Sequence, residues 1–337
     1  MKHIGLYIFF FFCQSLSAQV SLGVRNGHAM VYVDHNKSIL LFGGADEKSV
    51  LDETWLIKNS SHRKLSTPAP PARTFASMVY DTDSHDVILF GGNSVLFGHD
   101  DEIPRLFNDT WVYRNESWKK IDPATSPEAR TEASMAYDPE RKCIVLFGGI
   151  YFDSDRKIVR LGDTWEFNGS DWTKVSTGGP TPRSGTALVY SYPLKKIILL
   201  GGPISLKNDP RYNGPLWTWD GKTWEKLAGE PDLVYNPSVA YHSKENYFMV
   251  FGGWDGKSRL NRSLKCTDGN CETIKVRGPV PPGRNHAGLV FDSSNNVFVL
   301  YGGHDGSNVF GDLWTFKKRK WKLICGPQAV QRVENGH

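Results

Sequence analysis

The chain has 337 residues with 40 basic and 36 acidic side chains, a formal net charge of +4. Charge this mild and this evenly mixed provides no basic face for nucleic acid. With 39% hydrophobic and 12% aromatic residues the composition is globular, and 33 glycines beside 11 tryptophans favour strands and tight turns over helices.

The first element is a targeting segment. Lys2 and His3 precede an apolar run from Ile4 to Phe12, and Leu16-Ser17-Ala18 ends in a small residue. This is the pattern of a signal peptide over residues 1–18, cut after Ala18 with Ser17 the alternative, and the nine-residue run is too short to span a bilayer. Cys13 follows the bulky Phe12 where a lipoprotein signal carries a small residue, so lipidation is not expected. No later segment is long and apolar enough for a membrane helix. The chain is therefore expected to be secreted or periplasmic, with no transmembrane anchor, in a compartment that permits disulfides.

Beyond the signal, one unit recurs six times. A glycine doublet begins at Gly43, Gly91, Gly148, Gly201, Gly252 and Gly302, each closing a short apolar run such as Val87 to Phe90. Runs this short, rich in β-branched residues and ended by Gly, read as buried strands. Eleven residues before each doublet stands an aromatic: Tyr32, Tyr80, Tyr137, Tyr190, Tyr241 and Phe291. It ends a strand of small and apolar residues, the kind that fits where six strands crowd around an axis. After a variable loop comes a third strand with Trp55, Trp111, Trp165, Trp217 or Trp314, and seven residues beyond the last four a second Trp: Trp118, Trp172, Trp224 and Trp321. The fifth repeat departs, with Leu264 and Cys271 in place of the two tryptophans. Its Cys266 and Cys271 flank a turn-rich tetrapeptide and are expected to form a disulfide in place of a cross-strand aromatic pair. Nothing in the sequence pairs Cys143 with Cys325.

The doublet, the Arg before the inner strand in five of the six repeats and the paired downstream aromatics resemble the kelch repeat over roughly residues 23 to 325. That family commonly has Tyr where this chain has the first Trp. The resemblance implies an all-β, six-bladed β-propeller of four-stranded antiparallel blades across residues 19–325, followed by a C-terminal tail at 326–337. One repeat is expected to make one blade, without strand exchange at closure.

In such a propeller the loop before the inner strand and the loop after the second strand open on one face. The first carries Arg25, Arg73, Arg130, Arg183 and Arg284, with Val234 in the fifth repeat. A ring of guanidiniums suits a carboxylate ligand. Two residues before the third-strand Trp, however, stand Glu53, Asp109, Asp163 and Asp312, replaced by Pro215 in the fourth repeat and Arg262 in the fifth. If each Arg pairs within its own repeat, Arg183 is left over; if it pairs with the preceding repeat, Arg284 is. The matched inventory favours structural ion pairs. The candidate ligand-binding residues are Arg73, Arg130, Arg183 and Arg284, with Trp254, His304 and Asp305 from two similar Asp-Gly loops. The acidic loop Phe97 to Glu102 reads as solvated, and His28 and His286 do not make a metal site. No metal or cofactor is expected.

Galactose oxidase and exported sialic-acid mutarotases belong to the family that the repeats resemble. The cysteines here do not match the copper enzyme's Cys–Tyr crosslink. The leading expectation is a monomeric, secreted binding module that recognises a carbohydrate or protein partner on the long-loop face. The alternative is a sugar isomerase or mutarotase acting on an acidic sugar such as sialic acid, with Arg183 or Arg284 holding its carboxylate.

Overall fold

The computed structural model describes residues 21–326, apart from 60, 97–103, 177, 203–215, 228–233 and 268, together with Val330–Gln331. The expected signal peptide and the acidic loop Phe97 to Glu102 lie outside the described residues. The rest is an all-β propeller of six blades, each a four-stranded antiparallel sheet. Blade one runs outward from the channel as Ala29–Val33, Ser38–Phe42, Thr54–Lys58 and Ser61–Lys64. Blade six does the same as Gly288–Asp292, Val297–Tyr301, Leu313–Lys317 and Lys320–Cys325. All six blades take their strands from a single repeat, as the sequence implied.

The second strands explain why the apolar runs do not alternate. Ser38–Phe42, Cys143–Phe147 and Tyr247–Phe251 are buried at every residue, because each blade is covered on both faces by its neighbours. Six apolar clusters result, each shared by two adjacent blades, one of them joining blade six to blade one. The second Trp of a repeat projects into the preceding blade. Trp172 lies 5.2 Å from Phe90 and donates its Nε1 hydrogen to Thr110 at 3.0 Å. Trp118, Trp224 and Trp321 repeat both contacts with Phe42 and Thr54, Phe147 and Thr164, and Phe251 and Ser263.

The glycine doublet is the point of closest approach between blades. Gly43 has φ +66°, and a Cβ there would stand 2.6 Å from the carbonyl oxygen of Arg73 in the next blade. Gly44 then donates its N–H to that same carbonyl at 2.9 Å. The geometry recurs around the ring and closes it: Gly303 of blade six donates to the carbonyl of Arg25 at 2.9 Å. At this seam Tyr301 also donates its hydroxyl to the carbonyl of Gly23, at 2.5 Å. Within the tail, Val330–Gln331 pairs with Asn308–Val309.

Cys266 and Cys271 are directly cross-strand and joined by a disulfide. Cys143 is buried and free, its thiol pushed up to about 12 by burial, and Cys325 is free and partly buried. The disulfide closes a very short loop, for which chain entropy predicts about 2 kcal/mol. Cys271→Ala is expected to lower the unfolding free energy by about that amount, and reductant should lower the wild type alike while leaving the variant unchanged. Urea unfolding with and without reductant measures both.

Candidate functional site

Two residues after each Arg position, the chain turns through the left-handed region at the channel mouth. Gly27, Phe75, Glu132, Gly185, Asn236 and His286 have φ of 61°, 54°, 55°, 64°, 49° and 55°. This conformation lets neighbouring blades join hands through their backbones. Phe75 donates its N–H to the carbonyl of Gly27 at 2.7 Å, Glu132 to Phe75 at 3.2 Å, Asn236 to Gly185 at 2.9 Å and Gly27 to His286 at 3.1 Å. The six residues line a cavity of about 190 Å³. The aromatic markers lie toward the opposite end of the channel, around a cavity of about 480 Å³.

Two of the glycines seat aromatic rings. A Cβ on Gly185 would stand 2.7 Å from the Tyr235 ring, and one on Gly27 would stand 2.8 Å from the Phe75 ring. Tyr235 thereby reaches across blade four and donates its hydroxyl hydrogen to Glu132 Oε2 at 2.5 Å, with the Ser184 hydroxyl 2.9 Å from the same oxygen of Tyr235. Burial pushes the Glu132 carboxyl above its usual 4.5, against hydrogen bonds from Tyr235 and Ser184 and the charge of Arg160. Burial and the nearby Glu132 charge hold the Tyr235 hydroxyl well above 10. Arg160 comes from the long loop of blade three, which folds into a hairpin of Ile150–Phe152 with Ile158–Arg160.

Across the mouth, Phe75 meets His286 edge-on at 4.7 Å, and His286 stacks on His304 at 5.2 Å. Gly306 donates its N–H to His304 Nδ1 at 3.1 Å, which leaves the ring proton on Nε2 to donate to His286 Nδ1, 2.9 Å away. His28 sits in the wall, where burial and then the Arg25 charge push its imidazole down to about 3. Among the described residues no group of three His, Cys, Asp or Glu stands close enough to hold a metal ion.

The arginines lie deeper than this mouth. Arg73, Arg130 and Arg284 grip Asp109, Asp163 and Asp312 of their own repeats, with Nη1–Oδ1 distances of 2.6 Å and Nη2–Oδ2 distances of 2.8–2.9 Å. Arg25 reaches Glu53 at 2.9 Å. The guanidinium-bearing side chains are all but inaccessible. Burial alone would raise the Asp109 and Asp163 carboxyls, but the arginine hydrogen bonds, the arginine charge and the Trp hydrogen bond together outweigh it and hold both below the usual carboxylate range. Each acid also accepts the indole N–H of its third-strand Trp, as Trp165 donates to Asp163 at 2.7 Å.

A family model described as the KLHDC2/KLHL20/DRC7 Kelch-repeats domain matches residues 16–202. The chain belongs to the kelch-repeat family. Similar proteins include an F-box/kelch-repeat protein of Arabidopsis thaliana, 28% identical over 53% of this chain and 39% of its own length. Tip elongation aberrant protein 1 of Schizosaccharomyces pombe is 26% identical over 56% of this chain and 17% of its own. Mei4-dependent protein 6 of the same yeast is 24% identical over 65% and 34%. The chain thus spans well under half the length of each of these relatives.

On this kelch propeller the residues singled out from the sequence separate. His304 reaches the mouth through His286. Asp305 closes its own turn, accepting the N–H groups of Ser307 at 2.9 Å and Asn308 at 2.7 Å. Trp254 is partly buried, with Arg259 5.7 Å from its ring centre. Arg73, Arg130 and Arg284 have carboxylate partners inside their blades, and Arg183 is 2% exposed within its own. Sequence reasoning passed over Glu132, Tyr235, Ser184 and Phe75. The available signal was position, five residues before the aromatic marker for Phe75 and Glu132 and six for Ser184 and Tyr235, where each repeat of this chain turns at the channel.

Two outcomes follow from this geometry. Arg130→Ala takes from the largely buried Asp163 its bidentate partner, leaving only Lys174 at 3.9 Å, and is expected to reduce stability by about 3 kcal/mol in chemical denaturation. Glu132 has a folded pKa above its unfolded one. Its contribution to stability is therefore present below the ordinary value of 4.5 and lost as pH rises through the shifted value. Glu132→Gln keeps an acceptor for Tyr235 and removes that loss. Its melting temperature at pH 7.5 should exceed that of the wild type by about 2–4 °C, the shift made by 1 kcal/mol in a large domain, with no gain near pH 4.

Proposed function

We propose that this kelch propeller is an exported binding module whose long-loop mouth grips the hydroxyl groups of a carbohydrate. Its fold and its relatives are those of a protein-interaction module. The observation that carries the finer reading is the pre-arranged chain Ser184–Tyr235–Glu132 beside the Phe75 and His286 rings. A few convergent polar groups among aromatic faces suit a ligand that is apolar on its ring faces and hydroxylated at its edge. Export is supported by the N-terminal segment and by the Cys266–Cys271 disulfide, which belongs to an oxidising compartment.

A second reading, the isomerase, rests on the same carboxyl. A raised carboxyl in a cleft suits proton transfer. An acidic sugar, however, needs a cation in the mouth, and Arg73, Arg130 and Arg284 are already paired elsewhere.

The test is thermal-shift screening of the chain against neutral and acidic oligosaccharides. A neutral sugar is expected to raise the midpoint, and Tyr235→Phe, which removes one hydroxyl from the chain, should weaken its binding about tenfold. A shift confined to acidic sugars would favour the isomerase reading. No shift with any sugar would overturn the carbohydrate reading and leave a protein surface as the partner.

A further inference from the structure

Between blades five and six lies a cleft that the chain fills from within at the junction of blades three and four. At that junction Arg141 Nε donates to Asp138 at 2.9 Å and its Nη1 donates to Glu166, which also accepts the Trp219 indole N–H of blade four at 2.9 Å. The fit is close, since a Cβ on Gly221 would stand 2.8 Å from Arg141 Cδ. By sequence register, blade five holds His242, Glu245 and Lys265 at the places of Asp138, Arg141 and Glu166. Blade six holds Phe316 and Lys318 at the places of Trp219 and Gly221. The charges are inverted and the plugging arginine is gone. Glu245 lies 3.7 Å from His242 Nε2 with its side chain 58% exposed, and a cavity of about 560 Å³ stands between the blades.

Tyr247, Phe298, Phe316 and Ile274 form the apolar part of the cavity lining. Its charged part is Lys265, Lys275, Lys317, Lys318 and Arg319 against Glu245 and Glu272. Hydrogen bonds to the backbone hold the cations together. Arg319 Nε donates to the carbonyl of Lys275 at 3.0 Å, and Arg277 donates its N–H to the carbonyl of Arg319 at 2.9 Å. Lys318 and Arg319, with φ of 49° and 63°, make the two-residue turn between the paired Lys317 and Lys320. The Lys265 ammonium lies 4.6 Å from the Tyr247 ring centre. Among the described residues no carboxylate stands within ion-pair distance of Lys265, Lys275, Lys318 or Arg319. Lys275, Lys318 and Arg319 are exposed and Lys265 is half-buried, so a ligand reaches them from solvent. Like charges gathered in this way repel one another, and an anion among them relieves the repulsion.

We propose that this cleft binds a small aromatic ester of phosphate or sulfate. The ring takes the apolar side, against Tyr247, Phe298 and Ile274, and the oxyanion takes the side of Lys265, Lys275 and Arg319. Ammonium groups that approach from several directions as point charges suit a tetrahedral oxyanion, whereas a planar carboxylate suits the fork of a single guanidinium. The cavity volume lies in the range that small ligands occupy.

The experiment follows the melting temperature of the chain in phenyl phosphate, phenyl sulfate and the corresponding inorganic salts at matched ionic strength. At least one of the two esters is expected to raise the midpoint about 2–4 °C beyond its inorganic salt, and the ester that does so identifies the oxyanion. Lys265→Glu should abolish the difference. Combining Lys265→Glu with Glu245→Arg rebuilds the blade-three ion pair inside the cleft and should abolish it as well. Equal midpoints for each ester and its inorganic salt in the wild type would overturn the proposal. So would an ester response that survives undiminished in the double variant, which decides the matter even if Lys265→Glu alone fails to fold.

Discussion

The carbonyl of the arginine position that opens each blade lies against the first glycine of the preceding blade's doublet, and in five of the six junctions a hydrogen bond to it from the second glycine is observed. Each of the six first glycines would place a Cβ within 2.8 Å of that oxygen. Any side chain there forces the blades apart, and the apolar clusters between them open to water. The same arginine carries a second constraint in its side chain. In four blades, by gripping the acid just before the third strand of its own blade, it fixes the backbone that the neighbouring doublet must meet. One residue therefore ties the inside of a blade to the joint between blades, and the joint between blades six and one is built like the others.

Most of this was legible in the sequence because the constraint selects residue types and the selection is repeated six times. Gly at the doublet, an aromatic eleven residues earlier and the Arg–acid inventory recur in fixed register. Even the own-repeat pairing was one of two arrangements that the substitutions at Val234, Pro215 and Arg262 left open. The mouth was not legible. Its six positions hold Gly, Phe, Glu, Gly, Asn and His, because what they share is a backbone conformation and a backbone hydrogen bond, which select no single side chain. Glu132 and Tyr235 lie 103 residues apart, in blades three and five, and meet only because the ring closes over the small Gly185 between them. The Asp-Gly loops drew attention through a local signal, and Asp305 answers that signal locally by closing a turn.

Burial also decides the electrostatic character of the face. Read as a list, the arginines suggest a cationic collar. In the structure they are internal struts whose charge is largely answered inside each blade, and the mouth presents hydroxyls, an imidazole pair and one carboxyl. Blade four stands apart, because its Arg183 keeps the strut's pose while no carboxylate among the described residues meets it.

The left-handed girdle has a bearing on substitution. Glycine and asparagine adopt that conformation readily, whereas Phe75, Glu132 and His286 hold it at about 1–2 kcal/mol each. Glycine at those three places would keep the girdle and relieve the strain. That relief is set against the contacts their side chains make, Phe75 with His286, Glu132 with Tyr235 and His286 with His304. Backbone strain and the lining of the mouth therefore meet at the same three positions, where one substitution changes both.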